Sequence, residues 1–258
     1  MNYRTITLAQ RWDLFQAQDS VCDEAWPEFM LHDPVAHMYW MRFIELFREF
    51  QLMLMLGDQI LAVVNAVPLS FTDSLERLPD EGWDWGVEKS VMDHGKGVKP
   101  NTLMGVQIVV NREHRGKGLS SAAVEEMKRL AARMGLERLI LPARPSEKSR
   151  HPLIPIEEYI TWENGHGLPF DSWLRVHVRS GGEIIGVCSK AMQIPGSIAQ
   201  WKEWTGMEFP GSGSYIVPGA LNPVSMDLES DRGLYVEPNV WILHDGIGGQ
   251  HDESAHPG

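Results

Sequence analysis

The stretch from Leu103 to Leu141 restricts the fold more than any other. Leu103–Val110 (LMGVQIVV) is apolar on both faces, the pattern of a strand buried on both sides. A polar, glycine-bearing turn follows, Asn111-Arg112-Glu113-His114-Arg115-Gly116-Lys117-Gly118. Leu119–Met134 then places Ala122, Ala123, Met127, Leu130, Ala131 and Met134 on one helical side, and Gly135 stands where helices end. Arg138–Leu141 is a second apolar strand, closed by Pro142. Strand, helix and strand over so few residues form a β-α-β unit, so the two strands are parallel with a right-handed crossover.

The turn itself carries chemistry. Glycines let backbone amides approach a ligand with no Cβ in the way. The first amides of a helix have no internal partner and sit at the positive end of its dipole. Arg112, His114, Arg115 and Lys117 add basic groups at the same place, which suits a polyanion. The turn matches neither GxxxxGK[ST] nor GxGxxG, which disfavours a nucleoside triphosphatase or a nicotinamide dehydrogenase. Elsewhere the chain is acidic: 23 Lys and Arg against 35 Asp and Glu give a net charge of −12. Such a chain is a poor ligand for nucleic acid and a better one for a neutral or cationic partner.

Around this unit the remaining elements read as mixed α/β. Tyr3–Leu8 alternates as a first strand, and Leu8, Trp12, Phe15, Cys22, Trp26 and Phe29 mark a helical face broken near Pro27. Ala36, Trp40, Phe43, Ile44, Phe47 and Phe50 mark a second helix. Leu52–Leu56 and Ile60–Val67 flank a Gly57-Asp58 turn as paired strands. Residues 70–101 lack a period and read as loop around a short strand at Trp83–Val87. Residues 142–170 are proline-rich loop, with a helical turn near Glu157–Trp162. Helices follow at Asp171–Arg179 and Ser197–Trp204. Strands follow at Glu183–Cys188, Ala191–Ile194, Tyr215–Val217, Val224–Leu228 and Leu234–His244. The polar, glycine-rich 245–258 reads as a disordered tail.

Cys22 and Cys188 are too few for a disulfide scaffold, and Cys188, inside EIIGVC, reads as a small buried side chain. His32 and His37, and His251 and His256, are loosely spaced, and no metal site is expected of them. No apolar leader and no unbroken apolar span is visible, so a soluble, cytoplasmic protein is expected. A two-fold homodimer is the expected oligomer, if one forms.

Arg115-Gly116-Lys117-Gly118-Leu119-Ser120 resembles the (Arg/Gln)-x-x-Gly-x-(Gly/Ala) turn of the GCN5-related N-acetyltransferases (GNAT), with Ser120 at a position where Gly or Ala is usual. The resemblance implies a mixed central sheet whose parallel core strands splay apart, flanked by helices. It divides the chain into a GNAT-like domain at 1–244, with its core at 1–141 and an extended portion at 142–244, and the tail at 245–258. It implies acetyl-CoA as co-substrate and a small-molecule amine as acceptor, acetylated by direct attack. Arg115, Gly116, Lys117, Gly118, Leu119 and Ser120 would hold the pyrophosphate, and Val109 and Val110 would border the thioester. The family's acid on the core strand is absent, since the polar side chain there is Gln107, which can hold a water. The family's Tyr is absent from Asp171–Arg179 as well, where His177 is the candidate for proton transfer because its ordinary pKa is about 6.5. These departures leave two other readings open. One is an acyl-CoA-binding module without catalysis, the other is thioester cleavage or decarboxylation on the same fold. Glu157, Glu158 and Asp171 are candidates to attract a cationic amine, and residues 142–170 to form a lid over its pocket.

Overall fold

The computed structural model describes residues 2–23 and 25–247. The tail expected at 245–258 therefore lies, from residue 248 on, outside the described residues. In chain order the elements are β1 (Arg4–Thr7), α1 (Phe15–Asp23), α2 (Pro34–Leu46), β2 (Gln51–Leu56), β3 (Gln59–Leu69), α3 (Gly82–Gly95), β4 (Thr102–Val110), α4 (Leu119–Arg133), β5 (Arg138–Ala143), α5 (Ile156–Tyr159), α6 (Ser172–Arg179), β6 (Glu183–Gly196), α7 (Ile198–Thr205), β7 (Gly213–Tyr215), β8 (Val224–Asp227) and β9 (Arg232–His244). The sheet runs β1-β2-β3-β4-β5-β9-β8-β7, and β6 covers the other edge of β9.

The feature that positions the site is the pairing of β4 with β5. It is parallel and short: Thr102, Leu103 and Met104 pair with Arg138, Leu139 and Ile140. Beyond Met104 the strands separate, β4 following β3 to Val110 and β5 following β9 to Ala143. A bulge begins the separation. Asn65 pairs with Gln107 and Ala66 with Gly105, so Val106 is the extra residue on β4. An extra residue leaves one peptide unpaired and bends the strand. On the far side β9 repeats the motif of a shared edge. β5 takes Val240–His244 and β8 takes Arg232–Leu234, leaving the middle of β9 unpaired on that edge.

The helix α3 corrects the strand expected at Trp83–Val87. Trp83, Val87 and Val91 are buried at helical spacing, but glycines dilute the pattern, so the Trp-x-Trp alternation passes for a strand. Gly86 has a packing reason: a Cβ there would collide with Met104 Sδ, so the helix rests directly on β4. The two strand pieces expected at Glu183–Cys188 and Ala191–Ile194 are one strand, β6, interrupted by register shifts. The first helical face is shorter than its apolar period suggests, because Trp26-Pro27 ends α1 and starts a 3-10 turn at Glu28–His32. Asp33 then caps α2, accepting from the Ala36 amide at 2.7 Å, with Pro34 in the first helical turn. The proline-rich 142–170 is packed against the protein. Tyr159, Trp162, Phe170 and His151 pack with their rings tilted or edge-on to one another, and Lys148 is fully buried, donating to the carbonyls of His151 and Leu221.

Candidate active site

At the open end of the splayed pair, Gly116 and Gly118 adopt φ of 76° and 75°, the left-handed region that only glycine enters freely. Gly118 occupies the cap position of α4 and contributes no side chain. The first amide of α4 to find a carbonyl is Ala122, bonded to Gly118 at 3.1 Å. Among the described residues no acceptor meets the amides of Gly116 to Ser121. Nothing lies within 4 Å of where a Cβ would stand on Gly116 or Gly118. Open space above unpaired amides at the positive end of a four-turn helix fits a diphosphate. Lys117 Nζ is folded back on the Glu113 carbonyl and His114 Nδ1, both at 3.3 Å, and Arg115 is exposed at the rim.

The β4 edge that faces the gap is held from outside the sheet. Trp83 Nε1 donates to the carbonyl of the bulge residue Val106 at 3.0 Å. Trp26 Nε1 donates to Gln107 Oε1 at 2.9 Å, Gln107 Nε2 to Asn65 Oδ1 at 2.8 Å, and Asn65 Nδ2 to Gln51 Oε1 at 2.8 Å. Gln51 ends the chain on the carbonyls of Phe47 and Ala66. Both ends of the Gln107 amide are thus engaged in a relay that fixes the strand. Val109 and Val110 pair with Val63 and Ala62, which leaves their other edge toward the gap.

The structure places His177 elsewhere. It is fully buried, with Nδ1 3.1 Å from His244 Nε2, and its ring lies 4.2 Å from Trp173. His244 pairs with Leu139, at the closed end of the splayed strands. His177 therefore has no access to the gap and serves packing. An amphipathic helix shows a histidine but not whether its partner, here His244, is waiting under it. Cys188 is likewise fully buried, and burial pushes its thiol well up, away from a reactive thiolate. Glu157 and Glu158 are exposed. Asp171 caps α6 and accepts from Tyr159 Oη and the Glu147 amide, so it is spent on structure.

The histidine pair has a measurable consequence. Burial, then the neighbouring ring, pushes His177 down to about 3, and burial pushes His244 down to about 4. Both are neutral when folded and protonate near 6.5 when unfolded. Their contribution is complete above pH 6.5 and drains away as pH falls toward 4, by about 2 kcal/mol per histidine at pH 5. Urea unfolding at pH 7 and pH 5 should show this loss, and His177→Gln should flatten it. An unchanged slope in the variant would refute the assignment.

Four acidic and basic residues not singled out from the sequence lie on the side of the sheet covered by α2 and α3. Glu237, on the middle of β9, is fully buried; Arg144 Nε reaches its two oxygens at 2.9 and 3.0 Å, and Tyr235 Oη donates to it at 2.9 Å. Arg144 also donates to the Gly219 carbonyl and lies 5.9 Å from the Trp26 ring centre. Asp33 and Asp84 complete the set, on α2's cap and one residue past Trp83. Only Asp33 announces itself in sequence, as Asp-Pro before an apolar helical run.

A mixed sheet splayed beside an uncapped, glycine-led helix has the frame of an acyltransferase-type fold with an anion-binding mouth. The model of the acetyltransferase (GNAT) family matches residues 13–154, more than half of the chain. The chain belongs to this family and is an acetyltransferase. It is similar to the arginine N-acetyltransferase avaD of Aspergillus versicolor, with 33% identity over 273 residues covering 94% of this chain and 93% of that protein. Among solved structures it resembles the loading GNATL domain of CurA from Lyngbya majuscula, with a TM-score of 0.57 and 17% identity over 95% of this chain and 96% of that one. It also resembles the GphF GNAT-like decarboxylase in complex with isobutyryl-CoA, with a TM-score of 0.54 and 15% identity over 95% and 99%. At these identities the two structures speak for the fold alone. No described helix is long and apolar enough to cross a membrane.

Proposed function

We propose that the chain acetylates a small cationic amine that carries a guanidinium group, of the arginine type. The observation that carries the transferase half is the row of unpaired amides from Gly116 to Ser121 at the mouth of the splayed strands. In this reading Arg115, Gly116, Lys117, Gly118, Leu119 and Ser120 hold the pyrophosphate of acetyl-CoA, and Val109 and Val110 border its thioester. The acceptor half rests on the similarity to an arginine N-acetyltransferase over nearly the whole chain and on the acidic groups gathered against α2 and α3.

The neutral amine attacks the thioester carbonyl, the C–S bond breaks as CoA leaves as its thiolate, and the proton shed by the nitrogen passes to that thiolate, directly or through water, giving the amide and free CoA thiol. A guanidinium, protonated at all ordinary pH, offers no lone pair, whereas an α-amine is partly neutral near pH 8. The guanidinium is then the handle and the α-amine the nucleophile. No carboxylate of β4 is needed as a base, since the strand carries Gln107 there and the neutral fraction of the amine suffices. Positioning supplies most of the rate. Thiol release from acetyl-CoA, measured with arginine, agmatine, lysine, spermidine and citrulline, tests the reading. Turnover with the guanidinium amines is expected, and no release above spontaneous hydrolysis with any amine would overturn it.

A further inference from the structure

Asp33 and Asp84 are an unusual pair of carboxylates. Asp33 is fully buried; Oδ1 caps α2, but Oδ2 is shielded from solvent with no hydrogen-bond partner. Asp84 Oδ1 is likewise shielded and unpartnered, although the rest of its side chain is half-buried. The two sit on α2 and α3, which pack side by side, and each feels the amide of Gln193 on β6. Among the described residues no Lys, Arg or His forms an ion pair with either. Lys89 on α3 is committed to Asp93, and Arg144 to Glu237. Buried polar atoms are nearly always satisfied, so two carboxylate oxygens that make no hydrogen bond of their own and share the influence of one main-chain amide leave acceptor capacity for a further donor.

We propose that Asp33 and Asp84 are the seat of the acceptor's guanidinium, a deepening that rests on the reading above. A planar guanidinium has five N–H donors in a fixed fork and is more weakly hydrated than an ammonium. It can therefore serve two carboxylates held on separate helices at less cost in desolvation. Among the described residues no group of three or more His, Cys, Asp or Glu is arranged to hold a metal ion. Glu88, one turn beyond Asp84 on the same face, is half-buried and accepts from Tyr39 Oη at 3.4 Å. The seat is also beside the chemistry, because Trp83, next to Asp84, holds the Val106 carbonyl of the β4 bulge. Burial raises both carboxyls, and the charge of Asp33 raises Asp84 further, a repulsion that a bound cation reverses.

Calorimetric titration of the whole chain with L-arginine and with L-citrulline, its neutral ureido analogue, tests the seat. The variants are Asp33→Asn, which keeps a good helix cap, and Asp84→Asn. Arginine should bind the unsubstituted chain at least about 100-fold more tightly than citrulline, since the seat's charged partners reject a neutral replacement. Each variant should lose at least about 10-fold in arginine affinity, while acetyl-CoA affinity changes less than about two-fold. Equal binding of arginine and citrulline, or variants that keep arginine affinity, would overturn the proposal. If Asp33→Asn fails to fold, Asp33→Ser, which keeps the cap without the charge, takes its place, with the same loss expected and unchanged arginine affinity overturning the proposal. Thiol release with arginine alongside unchanged variant affinities would remove the seat and leave the transferase reading. Asp33-dependent arginine binding without thiol release from any amine would do the reverse.

Discussion

Gly118→Glu abolishes acetyl-CoA binding, with an expected loss of about 1,000-fold. The position at φ 75° opens onto free space, so the new side chain projects where the turn's amides point. Two effects compete there. Forcing an L-residue into the left-handed region costs about 1–2 kcal/mol of folding stability. A carboxylate about 4 Å from a phosphate charge costs about 4 kcal/mol of binding at a surface-like dielectric, so repulsion dominates. Gly118→Ala separates the two. It carries the strain without the charge, and should lower stability by the same 1–2 kcal/mol while costing affinity far less. Calorimetric titration with acetyl-CoA, paired with thermal melts, reads both quantities. Wild-type affinity in the glutamate variant would mean that the diphosphate lies elsewhere.

Arg144→Met is the substitution expected to damage the fold most. It removes the guanidinium that compensates Glu237, a carboxylate with no exposure at all. Burial already pushes Glu237 up against the opposing pull of Arg144. Stranding such a charge costs about 3–5 kcal/mol, a drop in Tm on the order of 10 °C for a chain of this size. Leaving the Gly219 carbonyl without its 2.6 Å donor adds to the loss. The double variant Arg144→Met, Glu237→Gln removes both charges and should recover more than half of the stability. Thermal and urea unfolding of the single and double variants decide this. A single variant as stable as the unsubstituted chain would show that the pair contributes little.

What could be read in advance follows from how local each signal is. The β4-turn-α4-β5 unit is contiguous, its apolar periods are unbroken, and its glycines stand where backbone conformation demands them, so it was visible in the amino-acid order. The helix α3 was not, because Gly82, Gly86 and Asp84 interrupt its apolar stripe, and the reason for Gly86 is Met104 on another element. His177 misleads for a related cause: its burial depends on His244, which the chain brings back only at the end of β9. The acidic pair is the extreme case. Asp33 reads as a cap and Asp84 as a charge between tryptophans, and only the packing of α2 on α3 makes them neighbours.

The relay from Trp26 through Gln107 and Asn65 to Gln51 is built from indole and carboxamide groups alone. None of these gains or loses a proton between acid and alkali. The contour of β4 along the gap is therefore held by groups that acidity does not touch, and a pH dependence of the rate has to enter through titrating groups elsewhere.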